Sequence, residues 1–234
     1  SMATNHPMTL PDDFSQSLFS FEDTYQGYLK GLLSCDRDLC RASFQRWLDA
    51  DGDLRNLYEN LVQRSLYEVG ELWERGLISV ATEHMATALS ESLLNLTYPR
   101  LFAHPRTGKS AVVAACGSES HQLAAKMVAD FFELEGWRGY FLGANTRASD
   151  LIDLIRGKHP DAVALSLTLY FNLHTLLETI AQIRAEFPNI PILVGGQGVR
   201  RDGRDRLELL PGVCCLLSLS ELEAWIHRFA NNHV

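Results

Sequence analysis

The stretch that decides the fold runs from Gly108 to Glu135 and reads GKSAVVAACGSESHQLAAKMVADFFELE. Its first part, up to Gly117, is rich in small and β-branched residues and predicts a buried strand. From Gln122 onward the apolar residues recur every three to four positions, which predicts a helix. His121 stands at the turn between them, where open parallel sheets collect their ligands. The stretch therefore predicts a parallel α/β domain with a histidine directed at its binding site.

Beyond this stretch, strand patterns alternate with helical patterns. We predict strands at 110–116, 137–142, 162–168, 191–195 and 213–218, and helices at 121–135, 148–157, 173–187, 200–209 and 219–232. Such alternation with short loops requires right-handed crossovers, which produce a parallel sheet covered on both faces. The expected fold class is α/β, with a flavodoxin-like, five-stranded parallel sheet.

The first half of the chain has a helical period instead. Between Leu54 and Trp73 the apolar residues form one stripe at helical spacing. Asp36 and Ser79 are predicted N-caps, and Gly76 is a predicted helix stop. The pattern predicts a four-helix bundle with helices at 21–34, 36–49, 53–75 and 79–101. The expected domains are a flexible arm at 1–20, a helical bundle cap at 21–104 and a Rossmann-like domain at 108–234.

Composition places the chain among ordinary globular proteins. Of its 234 residues, 46% are hydrophobic and 21% are charged, and the formal net charge is -8. A negatively charged chain without a long basic tract has little attraction for phosphates, so we expect no direct binding to nucleic acid. The sequence shows neither an apolar run long enough to cross a bilayer nor a signal pattern. We therefore expect a cytoplasmic protein that does not enter the membrane.

Three motifs fall at predicted strand ends. They are Glu119-Ser120-His121-Gln122-Leu123-Ala124, Ser166-Leu167-Thr168 and Gly195-Gly196. Together they resemble the cobalamin-binding signature of the methionine synthase and mutase type. In that signature an acid-x-His-x-x-Gly turn is followed by Ser-x-Leu and then by Gly-Gly at similar intervals. Three motifs in this register are far more specific than a lone glycine-rich loop.

The resemblance implies a role for the motif residues. His121 would replace the dimethylbenzimidazole base of cobalamin as a ligand of cobalt, and Glu119 would accept the other imidazole N–H. Ser166 would hydrogen-bond the buried base, and the two glycines would leave room for the nucleotide tail. The implied cofactor-binding residues of the sheet are Glu119, Ser120, His121, Gln122, Leu123, Ser166, Thr168, Gly195 and Gly196, with His121 as the metal ligand.

Three positions depart from the signature. Glu119 stands where aspartate is commoner, Ala124 replaces glycine and Thr168 replaces leucine. The methyl group of Ala124 would crowd the nucleotide tail. Thr168 would either add a hydrogen bond to the base or pack against it. None of these changes removes the cobalt ligand.

The helical half carries a second resemblance. Trp73 and Glu83-His84 fit the Trp-x9-Glu-His motif of the adenosylcobalamin-dependent photoreceptors related to MerR-type repressors. The resemblance implies that these three residues cap the upper face of the corrin around the adenosyl group. Those photoreceptors carry a histidine directly after the tryptophan, and it binds cobalt after illumination. Here that residue is Glu74, and a carboxylate is a poorer ligand for Co(III) than imidazole.

The sequence leaves three functions open. The favoured function is a cobalamin-binding sensor or light-responsive regulatory protein that acts through a regulatory protein partner or a homo-oligomer. The second is the corrinoid shuttle protein of a methyltransferase system. The third is an interaction module that has kept the fold and lost the cofactor. Trp73 with Glu83-His84 favours adenosylcobalamin, whereas a shuttle needs an open upper face for methylcobalamin; hydroxocobalamin is a further candidate form.

Overall fold

The computed structural model describes residues 18–116, 122–143, 146–167, 173–196, 199 and 201–232. Its first half is helical: α1 (Phe21–Leu33), α2 (Arg37–Ala50), α3 (Leu54–Asn56), a π-helical segment (Leu57–Gln63), α4 (Arg64–Glu74), α5 (Val80–Leu94), a 3₁₀ turn (Asn95–Thr97) and α6 (Tyr98–Leu101). The second half alternates: β1 (Ser110–Cys116), α7 (Gln122–Leu134), β2 (Arg138–Leu142), α8 (Ala148–Lys158), β3 (Ala162–Leu167), α9 (Leu173–Glu186), β4 (Ile192–Gly195), α10 (Arg201–Glu208), β5 (Val213–Leu216) and α11 (Leu219–Asn232).

The five strands form one parallel sheet in the order β2-β1-β3-β4-β5. This is the flavodoxin-like order, so the predicted fold class is confirmed. The chain runs outward from β1 to β2 and then crosses back to β3, which makes the β1/β3 edge the topological switch point. In such sheets ligands bind outside the carboxyl ends of the strands at that point.

The strand residues alternate between two apolar cores. On β1, Val113 packs into a core shared with the helical bundle, α7 and α11, whereas Val112 packs into a second core with α8, α9 and α10. The same alternation places Ala164 and Leu193 on the bundle side of the sheet. Because side chains alternate with a period of two, Ser166 and Gly195 face the bundle as well.

Three predicted helix signals of the bundle are confirmed. The Asp36 carboxylate accepts the Leu39 N–H at 3.0 Å, and the Ser79 hydroxyl accepts the Thr82 N–H at 3.1 Å. Gly76 has φ +70° and ends α4, with its N–H bonded to the Trp73 carbonyl at 2.9 Å. This tight turn brings the end of α4 beside the start of α5.

Two predicted bundle helices are less regular than expected. The helix predicted at 53–75 contains the π-helical segment Leu57–Gln63. The helix predicted at 79–101 ends at Leu94, because the Thr97 hydroxyl bonds the Leu94 carbonyl at 2.7 Å and Pro99 has no N–H to continue the ladder. Within the described ranges no helix is both long and apolar enough to span a membrane. The division into an arm at 1–20, a cap at 21–104 and a domain at 108–234 stays a prediction.

Candidate functional site

A cavity of about 980 Å³ lies between the bundle and the sheet. One wall is formed by α4 and α5, and the other by the start of α7 and by the carboxyl ends of β3, β4 and β5. Most of its lining is apolar, with a few polar side chains among the aliphatic ones. The volume is at the upper end of the usual range for small-molecule sites, so the cavity suits a large ligand.

The bundle wall carries the three residues predicted from the cap motif. Trp73 lies in the last turn of α4, and Glu83 and His84 lie in the first turns of α5. All three line the cavity. The Glu83 carboxylate is 3.3 Å from His84 Nε2; Glu83 is 13% exposed and His84 is 56% exposed. The structure therefore brings the predicted cap residues to one surface, and their binding role stays a prediction.

The sheet wall carries Ser166, which is only 5% exposed and lines the cavity. Its hydroxyl has no hydrogen-bond partner among the residues that the structure describes. Because Ser166 lines the cavity, this hydroxyl is available to a ligand there. Leu123, at the start of α7, lies on the same wall.

Gly195 and Gly196 also line the cavity. Close packing of the backbone requires glycine at both positions. A Cβ at Gly195 would lie 2.9 Å from the Leu216 carbonyl oxygen. Gly196 has φ +109°, and a Cβ there would overlap the Leu167 carbonyl. The resemblance assigns these glycines to ligand space; close contact between neighbouring strand ends is a second reason for them.

Four predicted site residues, Glu119, Ser120, His121 and Thr168, lie outside the described residues. Gln122 is described and does not line the cavity. Its side-chain amide instead donates a 2.5 Å hydrogen bond to the Glu91 carboxylate, which belongs to the bundle wall. Glu74 is exposed and is not part of the cavity lining.

Several lining residues were not predicted from the sequence. They include Tyr67, Val80, Glu91, Met127 and Leu217. Glu91 could have been found, because it follows Glu83 by two helical turns and so shares its face of α5. Nothing local marks Leu217, which reaches the cavity because β5 is the edge strand beside β4.

A cysteine ends β1, at the edge of the sheet where ligands collect. Burial raises the pKa of the Cys116 thiol to about 12. Thiolate is the metal-binding form of cysteine, and this group stays protonated at neutral pH.

A second group of potential metal ligands lies away from the cavity. Glu135, Glu223 and His227 bring their ligand atoms within 4.8 Å of one another. The Arg55 guanidinium bonds Glu135 and lies 3.3 Å from Glu223. This cation offsets part of the carboxylate charge, and the group forms an ionic link between the bundle, α7 and α11.

Comparison with known proteins gives matches in both halves of the chain. Two families described as B12 binding domains match residues 109–220 and residues 24–97. The chain is 28% identical over 145 residues to the HTH-type transcriptional repressor CarH of Myxococcus xanthus, covering 61% of this chain and 48% of CarH. It is 32% identical over 126 residues to the HTH-type transcriptional repressor CarA of the same organism, covering 53% of this chain and 42% of CarA. The chain thus spans about half the length of these curated relatives.

The solved structure of the Methanosarcina barkeri monomethylamine corrinoid protein shares the fold. It aligns with a TM-score of 0.76 at 11% identity, covering 90% of this chain and 100% of that one. The parallel sheet, the cavity at its carboxyl edge and the two domain matches define a cobalamin-binding protein. The chain belongs to the B12-binding domain family, and within it lies near the CarH-type repressors.

The described walls fit a corrinoid. The cavity is large and mostly apolar, as a broad macrocycle requires, and Ser166 supplies a hydroxyl on the cavity wall without a partner in the described part of the chain. Glu83 and Glu91 supply carboxylate oxygens that can accept hydrogen bonds from amide side groups. Ser166, Gly195 and Gly196 would hold the cofactor from below, and Trp73, Glu83 and His84 from above.

Proposed function

We propose that this chain is a cobalamin-dependent regulatory protein that binds adenosylcobalamin, with His121 as the lower ligand of cobalt, and acts through a protein partner or a second copy of itself. The observation that carries the proposal is the bundle wall of the cavity, where Trp73, Glu83 and His84 stand together over the carboxyl edge of the sheet. The matches to the repressors CarH and CarA also support a regulatory role.

The chemistry of this wall suits a nucleoside better than a methyl group. An indole offers a flat apolar face on which a base can stack, and Glu83 offers oxygens that accept hydrogen bonds from ribose hydroxyls. A methyl group needs neither of these. When bound, adenosylcobalamin supplies a cobalt–carbon bond that light can break. The residues around it would hold the adenosyl group and exclude water.

The mouth of the cavity favours a second candidate, the corrinoid shuttle protein. Three apolar lining residues there are substantially exposed: Tyr67 at 41%, Val80 at 50% and Leu217 at 50%. An open apolar rim would let a methyltransferase reach the upper face of a corrinoid. We rank this function second because the rim does not account for Trp73 beside Glu83-His84.

Titration of the purified protein in the dark with adenosylcobalamin and with methylcobalamin tests the proposal. We expect tighter binding of adenosylcobalamin, a clear loss of that preference in Trp73→Ala, and retention of most of it in Trp73→Phe, which keeps an aromatic face. Equal or tighter binding of methylcobalamin, together with transfer of its methyl group to a thiol, would overturn the proposal in favour of the shuttle.

A further inference from the structure

One hydrogen bond joins the bundle to the beginning of α7 at the rim of the cavity. Gln122, the first residue of α7, donates its side-chain N–H to the Glu91 carboxylate at 2.5 Å. A bond to an ionised acceptor is stronger than one between neutral groups. The Gln122 side chain is also confined from the sheet side, since a Cβ at Gly143 would lie 3.0 Å from its amide oxygen. Its position is therefore determined by both halves of the molecule.

The same two surfaces meet at further polar contacts along α7. The Lys126 ammonium donates to the Asn95 side chain at 3.2 Å, and the Tyr58 hydroxyl donates to Asp130 at 2.7 Å. Gln122, Lys126 and Asp130 are spaced by four residues, so they share one face of α7. The Glu91–Gln122 bond is the member of this series whose acceptor lines the cavity.

On α5, Glu83, Thr87 and Glu91 are likewise spaced by four residues, and all three line the cavity. A helix is a stiff element. A displacement at Glu83 is therefore transmitted to Glu91, which lies about 12 Å further along the axis of α5 at about 1.5 Å per residue. Glu91 is thus connected to the upper part of the cavity through α5, and to the start of α7 through Gln122.

We propose that Glu91 is a positioning residue for the lower cobalt ligand. Through Gln122, the residue that follows His121 in the sequence, it holds the start of α7 against the helix that carries Glu83 and His84. A change at the upper face of the cofactor then affects how the histidine binds cobalt. A change in histidine ligation likewise affects the upper face. This inference rests on the proposed function, because it takes His121 as the ligand.

Exchanging the amide and the carboxylate between Gln122 and Glu91 distinguishes a positioning role of Glu91 from simple packing. Gln122→Glu sets two carboxylates against each other, whereas adding Glu91→Gln restores an amide donor facing a carboxylate with the roles reversed. Positioning partners of metal ligands typically contribute 10-fold to 100-fold to metal affinity, so we expect Gln122→Glu to bind hydroxocobalamin about 10-fold more weakly. The double variant should recover most of the loss. Lys126→Ala, which removes the contact one turn further along α7, is the matched control and should bind normally.

Two measurements complete the experiment. Electron paramagnetic resonance of cob(II)alamin bound to protein labelled with ¹⁵N-histidine reports whether a histidine nitrogen is on the metal; we expect that splitting to weaken in Gln122→Glu, to return in the double variant and to persist in Lys126→Ala. Amide hydrogen exchange of cofactor-free protein should be faster at the start of α7 in Gln122→Glu and normal in the double variant.

Normal binding and exchange in Gln122→Glu would overturn the inference. A double variant as weak as the single one, or an equal loss in Lys126→Ala, would overturn it as well. Failure of the proposed function is distinguishable, because the unmutated protein would then lack the histidine splitting. The amide exchange of cofactor-free protein would still decide whether Glu91 holds the start of α7.

Discussion

Ser166 and Gly195 are Cα partners on the adjacent parallel strands β3 and β4, and both face the helical bundle. A Cβ at Gly195 would lie 2.9 Å from the Leu216 carbonyl oxygen, and both Ser166 and Gly195 line the cavity. Ser166 is 5% exposed, and its hydroxyl has no partner within the described ranges. The pair therefore presents the Ser166 hydroxyl to the cavity among mostly apolar lining residues.

Ser166→Ala should weaken cobalamin binding by about 3-fold to 10-fold, the equivalent of one hydrogen bond, without lowering the stability of cofactor-free protein. Ser90→Ala is a matched control, since Ser90 is also buried but is paired with the Tyr28 hydroxyl at 2.8 Å. It should lower the free energy of unfolding and leave the cavity intact. Titration and denaturant unfolding check both variants. Equal destabilisation by the two changes would show that Ser166 serves the fold.

Gly196→Ala should destabilise the protein even without cofactor, because φ at this position is +109° and a Cβ would overlap the Leu167 carbonyl. We expect a loss of at least about 1–3 kcal/mol in the free energy of unfolding. Gly157→Ala is the control: this residue lies within α8, where a Cβ meets nothing within 4 Å, and the change should be neutral or stabilising. A stable Gly196→Ala that only loses cofactor would return the glycine to a purely ligand-related role.

His121→Ala should abolish histidine ligation of cobalt and most of the affinity for cobalamin. Glu119→Gln should still bind, about 10-fold to 100-fold more weakly, because the carboxylate only orients the imidazole. Absorption spectra of the bound cofactor and the nitrogen splitting of cob(II)alamin check both variants. His84→Ala is the control and should keep the lower ligand. An unchanged spectrum in His121→Ala would refute the ligand assignment.

Light should cleave the cobalt–carbon bond of bound adenosylcobalamin in this protein as in solution, because that reactivity belongs to the cofactor. Because a carboxylate is a poorer ligand for Co(III) than imidazole, the lit state should gain no bond from Glu74 to cobalt. We therefore expect a small or reversible change in elution volume and spectrum after green light, and a larger one in Glu74→His. A stable bis-histidine spectrum in the unmutated protein that survives His84→Ala would contradict this expectation.

Asp130 should make stability depend on pH. Burial raises the pKa of this carboxyl from 3.8 to about 6, although the Tyr58 hydroxyl donates to it at 2.7 Å. Because the folded pKa is above the unfolded one, the folded chain retains a proton that the unfolded chain has lost. The free energy of unfolding should therefore fall between about pH 4 and pH 6, by an amount on the order of 1–3 kcal/mol.

Asp130→Asn should remove that slope and raise the stability above pH 6, since the amide oxygen can still accept the Tyr58 hydroxyl. Denaturant unfolding at a series of pH values measures both effects. Asp150→Asn, on the first turn of α8, is the matched exposed control and should leave the slope in place. A slope that persists in Asp130→Asn would assign the pH dependence to other groups.

Much of the fold could be predicted because its signals are local. The alternation of Val112 and Val113 between two cores is the period-two pattern of a buried strand, and the caps at Asp36 and Ser79 act within one helical turn. The irregular helical segments could not be predicted, because they do not change the local apolar spacing. The π-helical segment Leu57–Gln63 is part of a helix with an ordinary apolar stripe, so its changed hydrogen bonding leaves no mark in the spacing.

The sequence by itself determined the parallel α/β class, the helical cap and the resemblance that leads to cobalamin, because motif spacing and apolar period are properties of neighbouring residues. Only the tertiary structure decided which side chains share the cavity: that Glu91 lines it and holds Gln122, that Leu217 reaches it from the edge strand, and that Glu74 does not. Such contacts join residues far apart in the chain, and they depend on how the bundle packs against the sheet, which no local pattern encodes.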